Sequence, residues 1–126
     1  MLTSAAVATA LPAQDLDRAR QFYSEKLGLE PVETMREGAS LRYDVADGAF
    51  VLFVSAGRPS GAHTQMGFLV EDVESEASAL RARGVVFEDI PGLEQKDGIA
   101  TLGSGRGAWF KDSEGNLLSV FQEDAT

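Results

Sequence analysis

The chain has 126 residues, the length of one domain, and its 44% hydrophobic and 25% charged residues are typical of a globular protein. A net charge of −9 opposes binding to nucleic acid or anionic membranes, and no apolar run is long enough to span a bilayer. The chain contains no cysteine and one histidine, His63, which excludes disulfides and multi-histidine metal sites within one chain. The N-terminal stretch lacks the basic region of a signal peptide, and Pro12 would interrupt a helix there, so we expect a cytoplasmic protein.

The first half of the chain has the pattern of a strand, a helix and three further strands. A strand-like run covers residues 7–13. The helix is predicted from Asp15 to Leu27 because apolar residues recur at spacings of three and four; Asp15 is the N-cap candidate and Gly28 the C-cap. The three strands that follow are predicted at 30–36, 40–45 and 49–55, with a hairpin turn at 46–48.

The second half repeats this order. A strand is predicted over residues 65–71, and a helix over 72–83, with Asp72 as its N-cap and Gly84 after its end. The strand signals that follow cover residues 85–90, 106–111 and 116–122. Residues 91–104 are rich in glycine, and their composition predicts a long, mobile loop.

The repetition predicts an α+β fold made of two βαβββ modules, with mixed concave sheets and one helix per module. Residues 1–126 form a single domain in this interpretation. It has module 1 at about 1–56, a linker at 57–62, and module 2 at about 63–126. Each helix covers one face of its sheet, so the other face either pairs with a second copy in a homodimer or holds a ligand.

Three stretches carry a resemblance to a known family: LPAQDLDRARQFYSEKLGLEP, MGFLVEDVESEASALRARGVVF and GAWFKDSEGNLLSVFQ. They are similar to the signature stretches of the vicinal oxygen chelate superfamily, which includes glyoxalase I, extradiol dioxygenases and the bleomycin-resistance proteins. The resemblance extends over nearly the whole chain. Because the motifs are structural, they indicate the fold more strongly than the chemistry.

The resemblance also implies where a metal ion would lie, since catalytic members of the superfamily typically hold one with two His and two Glu. The corresponding positions here are Ala8, Gln65 and Ser119. The fourth position lies on the fourth strand, and no carboxylate occurs between Asp47 and Glu71. Alanine cannot bind a cation, and neutral Gln and Ser oxygens are weak ligands without carboxylates beside them. The resemblance therefore points to a metal-free, bleomycin-resistance-like branch with no cofactor.

Strand alternation predicts an apolar, aromatic-lined concave face. Trp109, the only tryptophan, is either a stacking wall for a ligand or a packing residue in the core or dimer. His63 is foremost a strand-end or linker residue, with a ligand contact and then a metal ligand as the alternatives. Arg42 is solvated or lies in the cleft. The predicted ligand-binding residues are Ala8, Ala10, Pro12, Tyr43, Phe53 (with Phe50 as the alternative register), His63, Gln65, Gly67, Trp109, Ser119 and Phe121.

These expectations favour a metal-independent binding protein that sequesters an antibiotic-like or drug-like natural product, with no catalytic residue. An enzyme of the same superfamily, a lyase, isomerase or dioxygenase acting on a small metabolite, is the alternative. A regulatory module without a ligand is a third hypothesis. The expected partners are a bulky apolar or aromatic ligand and a second copy of the chain.

Overall fold

Residues 2–124, which the computed structural model describes, form two α-helices and nine strands; residues 1, 125 and 126, at the ends of the predicted modules, lie outside the described part. In chain order, the elements are β1 Thr9–Ala13, α1 Leu16–Leu27, β2 Glu33–Met35, β3 Ser40–Val45, β4 Gly48–Val54, β5 Met66–Leu69, α2 Val73–Ala82, β6 Gln95–Lys96, β7 Ile99–Leu102, β8 Gly105–Lys111 and β9 Leu117–Glu123. We call β1–β4 with α1 the first repeat, and β5–β9 with α2 the second repeat. Neither helix is long and apolar enough to cross a membrane.

The strands form two mixed sheets, one in each repeat. Sheet A has the strand order β1-β4-β3-β2, and sheet B has the order β5-β9-β8-β7-β6. In each sheet the first strand pairs in parallel with the last, and the remaining pairs are antiparallel. This architecture confirms the predicted α+β class and its internal repeat.

The two helices begin in the same way. The Asp15 side chain accepts a hydrogen bond from the Arg18 amide, and the Asp72 side chain accepts one from the Ser75 amide. Both aspartates have extended backbone angles, so each satisfies an amide that the first turn leaves unpaired. At the end of α1, Gly28 adopts φ 70°, a left-handed conformation that glycine takes without steric cost. The predicted starts of both helices are confirmed.

The second repeat differs from its predicted strand pattern. Residues 85–90 do not form a strand; they contact the sheet through one bridge between Phe87 and Phe110. The predicted loop at 91–104 instead contains the β6–β7 hairpin. Its turn has Asp97 at φ 53° and Gly98 at φ 82°, the left-handed pair that an Asp-Gly hairpin favours. Sheet B therefore has five strands rather than the four predicted, because the Asp-Gly turn pairs β6 with β7 within the glycine-rich stretch.

One hydrophobic core lies between the sheets and their helices. Leu11 and Leu52 are fully buried in the first repeat, and Leu118 and Val120 are buried in the second. Because side chains alternate along a strand, the residues between these positions lie on the opposite face of each sheet. We call the helix-free sides of the two sheets, taken together, the open face.

A buried polar cluster joins α1 to the β8–β9 turn across the two repeats. The Tyr23 hydroxyl donates a hydrogen bond of 2.7 Å to Asp112, and Arg18 donates two hydrogen bonds to Glu114. Asn116 donates one hydrogen bond to Asp112 and another, of 3.0 Å, to the Pro12 carbonyl. The Lys-Asp-x-x-Gly-Asn motif therefore connects the second repeat to the first, which is a structural role.

Candidate functional site

The first-repeat part of the open face is apolar. In sheet A, Ala10 lies opposite Val51, and Pro12 lies opposite Phe53, on the two central strands β1 and β4. All four positions alternate with the buried Leu11 and Leu52, which places them on the side away from α1. Phe53 and Pro12 are partly exposed, so they provide an apolar surface that a ligand can cover. The prediction that Phe53, rather than Phe50, faces outward agrees with the register.

Arg42 lies on the same face of sheet A but is already paired. Its guanidinium is 3.1 Å from the Asp44 carboxylate and 3.2 Å from the Glu33 carboxylate. All three side chains are substantially exposed, as in an ordinary solvated ion-pair group. Of the two interpretations of Arg42, the structure therefore supports the solvated residue.

The second-repeat part of the open face is formed by β5, β9 and β8. Ser119 lies between Gly67 on β5 and Trp109 on β8 in one cross-strand row. The Trp109 ring is partly exposed, and its indole N–H donates a hydrogen bond of 3.0 Å to the Thr64 hydroxyl. This bond fixes the orientation of the ring and leaves a large apolar surface for contact. The sequence analysis did not identify Thr64, which precedes the strand.

Two glycines on β8 allow the Phe121 ring to lie close to the sheet. A methyl group added at Gly105 would come within 2.6 Å of the Phe121 ring, and one added at Gly107 within 2.9 Å. The ring therefore occupies the space that side chains at these positions would need, as aromatic residues do beside glycines in sheets. A Gly-x-Gly spacing inside a predicted strand is the signal that could have revealed this aromatic floor.

Three predicted site residues do not lie on the open face of a strand. Tyr43 is fully buried in the core and stacks on Phe50 at 4.8 Å between ring centroids, because it alternates with Arg42 on the opposite side of β3. Burial raises the pKa of the Tyr43 hydroxyl to about 12. Ala8 precedes the start of β1 and is exposed. His63 lies in an exposed bend, with its Nδ1 3.4 Å from the Ser60 hydroxyl, outside the predicted strand.

The strand registers identify the fourth position of the metal site that the superfamily resemblance implies. Ala10 pairs with Val51 in sheet A as Gly67 pairs with Ser119 in sheet B, so Val51 is the counterpart of Ser119. The full set is Ala8, Val51, Gln65 and Ser119, which offers no imidazole or carboxylate. These donors do not fit a divalent metal ion. Within residues 2–124, moreover, no group of three His, Cys, Asp or Glu side chains is placed to hold one.

Gln65 brings a polar group to this apolar region. It directly precedes β5. Its backbone N–H donates a hydrogen bond of 2.8 Å to the Leu117 carbonyl, which continues the pairing of β5 with β9. Its side-chain oxygen Oε1 is buried and has no hydrogen-bond partner among the described residues. A buried acceptor without a partner is costly, so it favours a ligand or water that donates a hydrogen bond.

The comparisons with known proteins agree with this architecture. The sequence pattern of the Glyoxalase/Bleomycin resistance protein/Dioxygenase superfamily matches residues 6–120. The chain is 30% identical to the uncharacterized protein YurT of Bacillus subtilis (strain 168), over 93% of this chain and 98% of YurT.

Solved structures show the same fold. UcmS2 superimposes with a TM-score of 0.72 at 25% identity, over 94% of this chain and 97% of UcmS2. TnmS3, an antibiotic binding protein from Streptomyces sp. CB03234, superimposes with a TM-score of 0.70 at 22% identity, over 98% of this chain and 99% of TnmS3. With the family pattern covering most of its length, the chain belongs to the glyoxalase, bleomycin resistance protein and dioxygenase superfamily.

Proposed function

We propose that the protein binds a bulky, partly aromatic natural product on its open face, without a metal ion, and sequesters it. The observation that carries this proposal is that Phe53 on sheet A and Trp109 and Phe121 on sheet B are all partly exposed on the helix-free sides of their sheets. Apolar walls with few polar groups are typical of small-molecule sites. Bound ligand is withheld from its target by mass action.

The donor set supports binding over metal-dependent chemistry. Ala8, Val51, Gln65 and Ser119 replace the ligands that catalytic relatives need, and Gln65 Oε1 is a buried acceptor without a partner. In this proposal a hydroxyl or N–H group of the ligand donates to Gln65 where other members hold the ion. TnmS3, which shares the fold, is described as an antibiotic binding protein, and this supports an antibiotic-like natural product as the ligand class.

The proposal includes a homodimer in the cytoplasm. Leu69 is 73% exposed on the open face, beside the partly exposed Phe121, so a lone chain leaves apolar surface bare there. A second copy would cover part of this surface and close the cleft. Sedimentation equilibrium at micromolar concentration is expected to give the dimer mass; the monomer mass would overturn this part of the proposal.

The test is a fluorescence screen followed by calorimetry. Trp109 is the only tryptophan, so quenching of its emission reports ligands at the open face directly. The screen uses cytotoxic natural products with fused aromatic rings, together with small metabolites as the opposing class. Saturable quenching by the first class that EDTA does not change supports the proposal. Binding that requires an added divalent ion, or turnover of a metabolite, would overturn it.

Three variants then locate the site by isothermal titration. Trp109→Ala is expected to weaken binding by about thirtyfold, or about 2 kcal/mol, because it removes a large aromatic anchor. Gln65→Ala is expected to have a smaller effect, since it removes one hydrogen bond. His63→Ala is the matched control in the exposed bend and is expected to bind nearly as the parent does. The reverse ranking would contradict the proposed site.

A further inference from the structure

Because the two repeats have the same order of elements, each residue at the contact between them has an equivalent residue in the other repeat. The N-caps Asp15 and Asp72 are equivalent, so Tyr23 and Leu80, each eight residues later, are equivalent helix positions. On the sheets, Tyr43 pairs with Phe50 as Phe110 pairs with Leu118. Two residues further along, Val45 is therefore the counterpart of Asp112.

The two equivalent contacts are filled differently. Tyr23 is fully buried and donates its hydrogen bond to Asp112 across the repeats. At the equivalent place, Leu80 and Val45 face a crevice of about 150 Å³. Leucine is shorter than tyrosine, and valine offers no acceptor, so this side lacks both the ring and the bond. Phe68 is larger than its counterpart Leu11 but does not fill the crevice. Its ring packs edge-on against Phe50, with 6.2 Å between the ring centroids.

The crevice lies on the helix side of the sheets, away from the open face. Its walls are apolar except for one carboxylate. They are formed by Leu27, Leu29, Val45, Phe68, Val70, Glu76, Leu80, Phe110 and Val120. Glu76 occupies the position of Ala19, which is fully buried in the first repeat. Its carboxylate has no ion pair or hydrogen bond with the described residues.

We propose that this crevice is a second binding site, for a small apolar molecule that carries a positively charged amine. An apolar cavity of about 150 Å³ binds benzene in another protein, so one ring or a short branched chain matches the volume here. The unpaired Glu76 at the edge favours an ammonium group over a neutral or anionic one, and the net charge of −9 adds to that preference. The site is independent of any ligand on the open face.

The experiment is an NMR titration of the protein with benzylamine and, separately, with its neutral analogue benzyl alcohol. Saturable shifts are expected at the amides of Val70, Leu80 and Val120, with the Trp109 indole signal unchanged. Benzylamine is expected to bind about two- to fivefold more tightly than benzyl alcohol, since exposed charge pairs contribute modestly. Glu76→Ala should remove this difference, whereas the control Glu74→Ala, on the same helix but outside the crevice, should keep it.

Two variants test whether the crevice itself holds the probe. Leu80→Phe fills it from the helix and is expected to abolish the saturable shifts. Val45→Phe fills it from the end of β3, where the side chain is 36% exposed, so the larger ring is expected to be accommodated. The matched control is Leu69→Phe on the open face, which should bind benzylamine as the parent does. Shifts centred on Trp109, an absence of saturation at millimolar probe, or unchanged binding by both filling variants would overturn the proposal.

Discussion

The two repeats share a backbone plan but fill their cores differently. Tyr23, Tyr43 and Phe50 form a cluster of three rings in the first repeat, and the counterparts are Leu80, Phe110 and Leu118 in the second. The aromatic cluster also carries the hydrogen bond to Asp112. The repeats share the aspartate N-caps and the parallel pairing of the first strand with the last, while side chains at equivalent core positions differ. The contact at Tyr23 is filled by a ring and a hydrogen bond, whereas the equivalent contact at Leu80 contains a crevice.

The largest effect is expected from making the first repeat resemble the second. Tyr23→Leu removes most of a buried ring and leaves Asp112 without its hydroxyl partner. We expect a loss of about 3 kcal/mol in the free energy of unfolding, measured by urea denaturation. Phe22→Leu, a neighbouring ring on α1 that is only partly buried, is the control and should cost less. Equal losses in the two variants would show that the buried Tyr23 contact stabilises the fold no more than the Phe22 contact does.

Acid should weaken the contact between the repeats that Glu114 makes with Arg18. Burial alone would raise the pKa of the Glu114 carboxyl, but hydrogen bonds from Arg18, the Asp15 amide and Ser113 outweigh it and lower the pKa to about 2. The stabilisation is present above the ordinary pKa of 4.5 and is lost as the pH falls through that value toward 2. Because Arg18 is half exposed, we expect a loss of about 2 kcal/mol.

Thermal denaturation of the parent and of Glu114→Gln between pH 7 and pH 2 measures this contribution. The parent should lose stability more steeply with acid than the variant does. Parallel curves would show that Glu114 does not stabilise the contact between the repeats in its charged form.

The N-cap aspartates are expected to contribute equally to the free energy of unfolding in the two repeats. Asp15→Ala and Asp72→Ala each remove one side-chain bond to a helix amide and should each cost about 1 kcal/mol in urea denaturation. Asp15→Asn and Asp72→Asn are the controls, since asparagine caps nearly as well. A much larger loss at Asp15 would indicate that its amide contact with Glu114 depends on the cap.

The smallest effect is expected from making the second repeat resemble the first. Leu80→Phe adds an aromatic ring beside Phe110 in a crevice that has room for it. We expect a gain of about 0.5 kcal/mol or more in unfolding free energy, since filling a cavity is a common route to stability. Leu118→Phe, at a fully buried position with no such space, should instead be destabilising.

The sequence predicted the elements that carry strong local signals. Both helices follow from their periodic apolar stripes and aspartate caps, and the internal repeat follows from their common order. The β6–β7 hairpin was missed because its Asp-Gly turn lies within a glycine-rich stretch, and strands of two to four residues have little periodicity.

The candidate site was predicted in part for the same physical reason. Residues flanked by buried neighbours, such as Phe53, Trp109 and Ser119, were placed on the open face because alternation is regular within long strands. Tyr43 was predicted to contact the ligand but is buried in the core, because the sequence alone does not distinguish an aromatic residue in a core from one in a cleft. Thr64 and the glycines under Phe121 depend on contacts between distant segments, which periodicity does not carry.

The glycines beneath Phe121 also limit which substitutions this face accepts. Every substitution at Gly105 or Gly107 adds at least one carbon where the Phe121 ring already lies, so each is expected to displace the ring or distort β8. Phe53 and Trp109 are partly exposed, and smaller side chains at these positions meet no such clash. Variation on this face is therefore expected at Phe53 and Trp109 rather than at the two glycines.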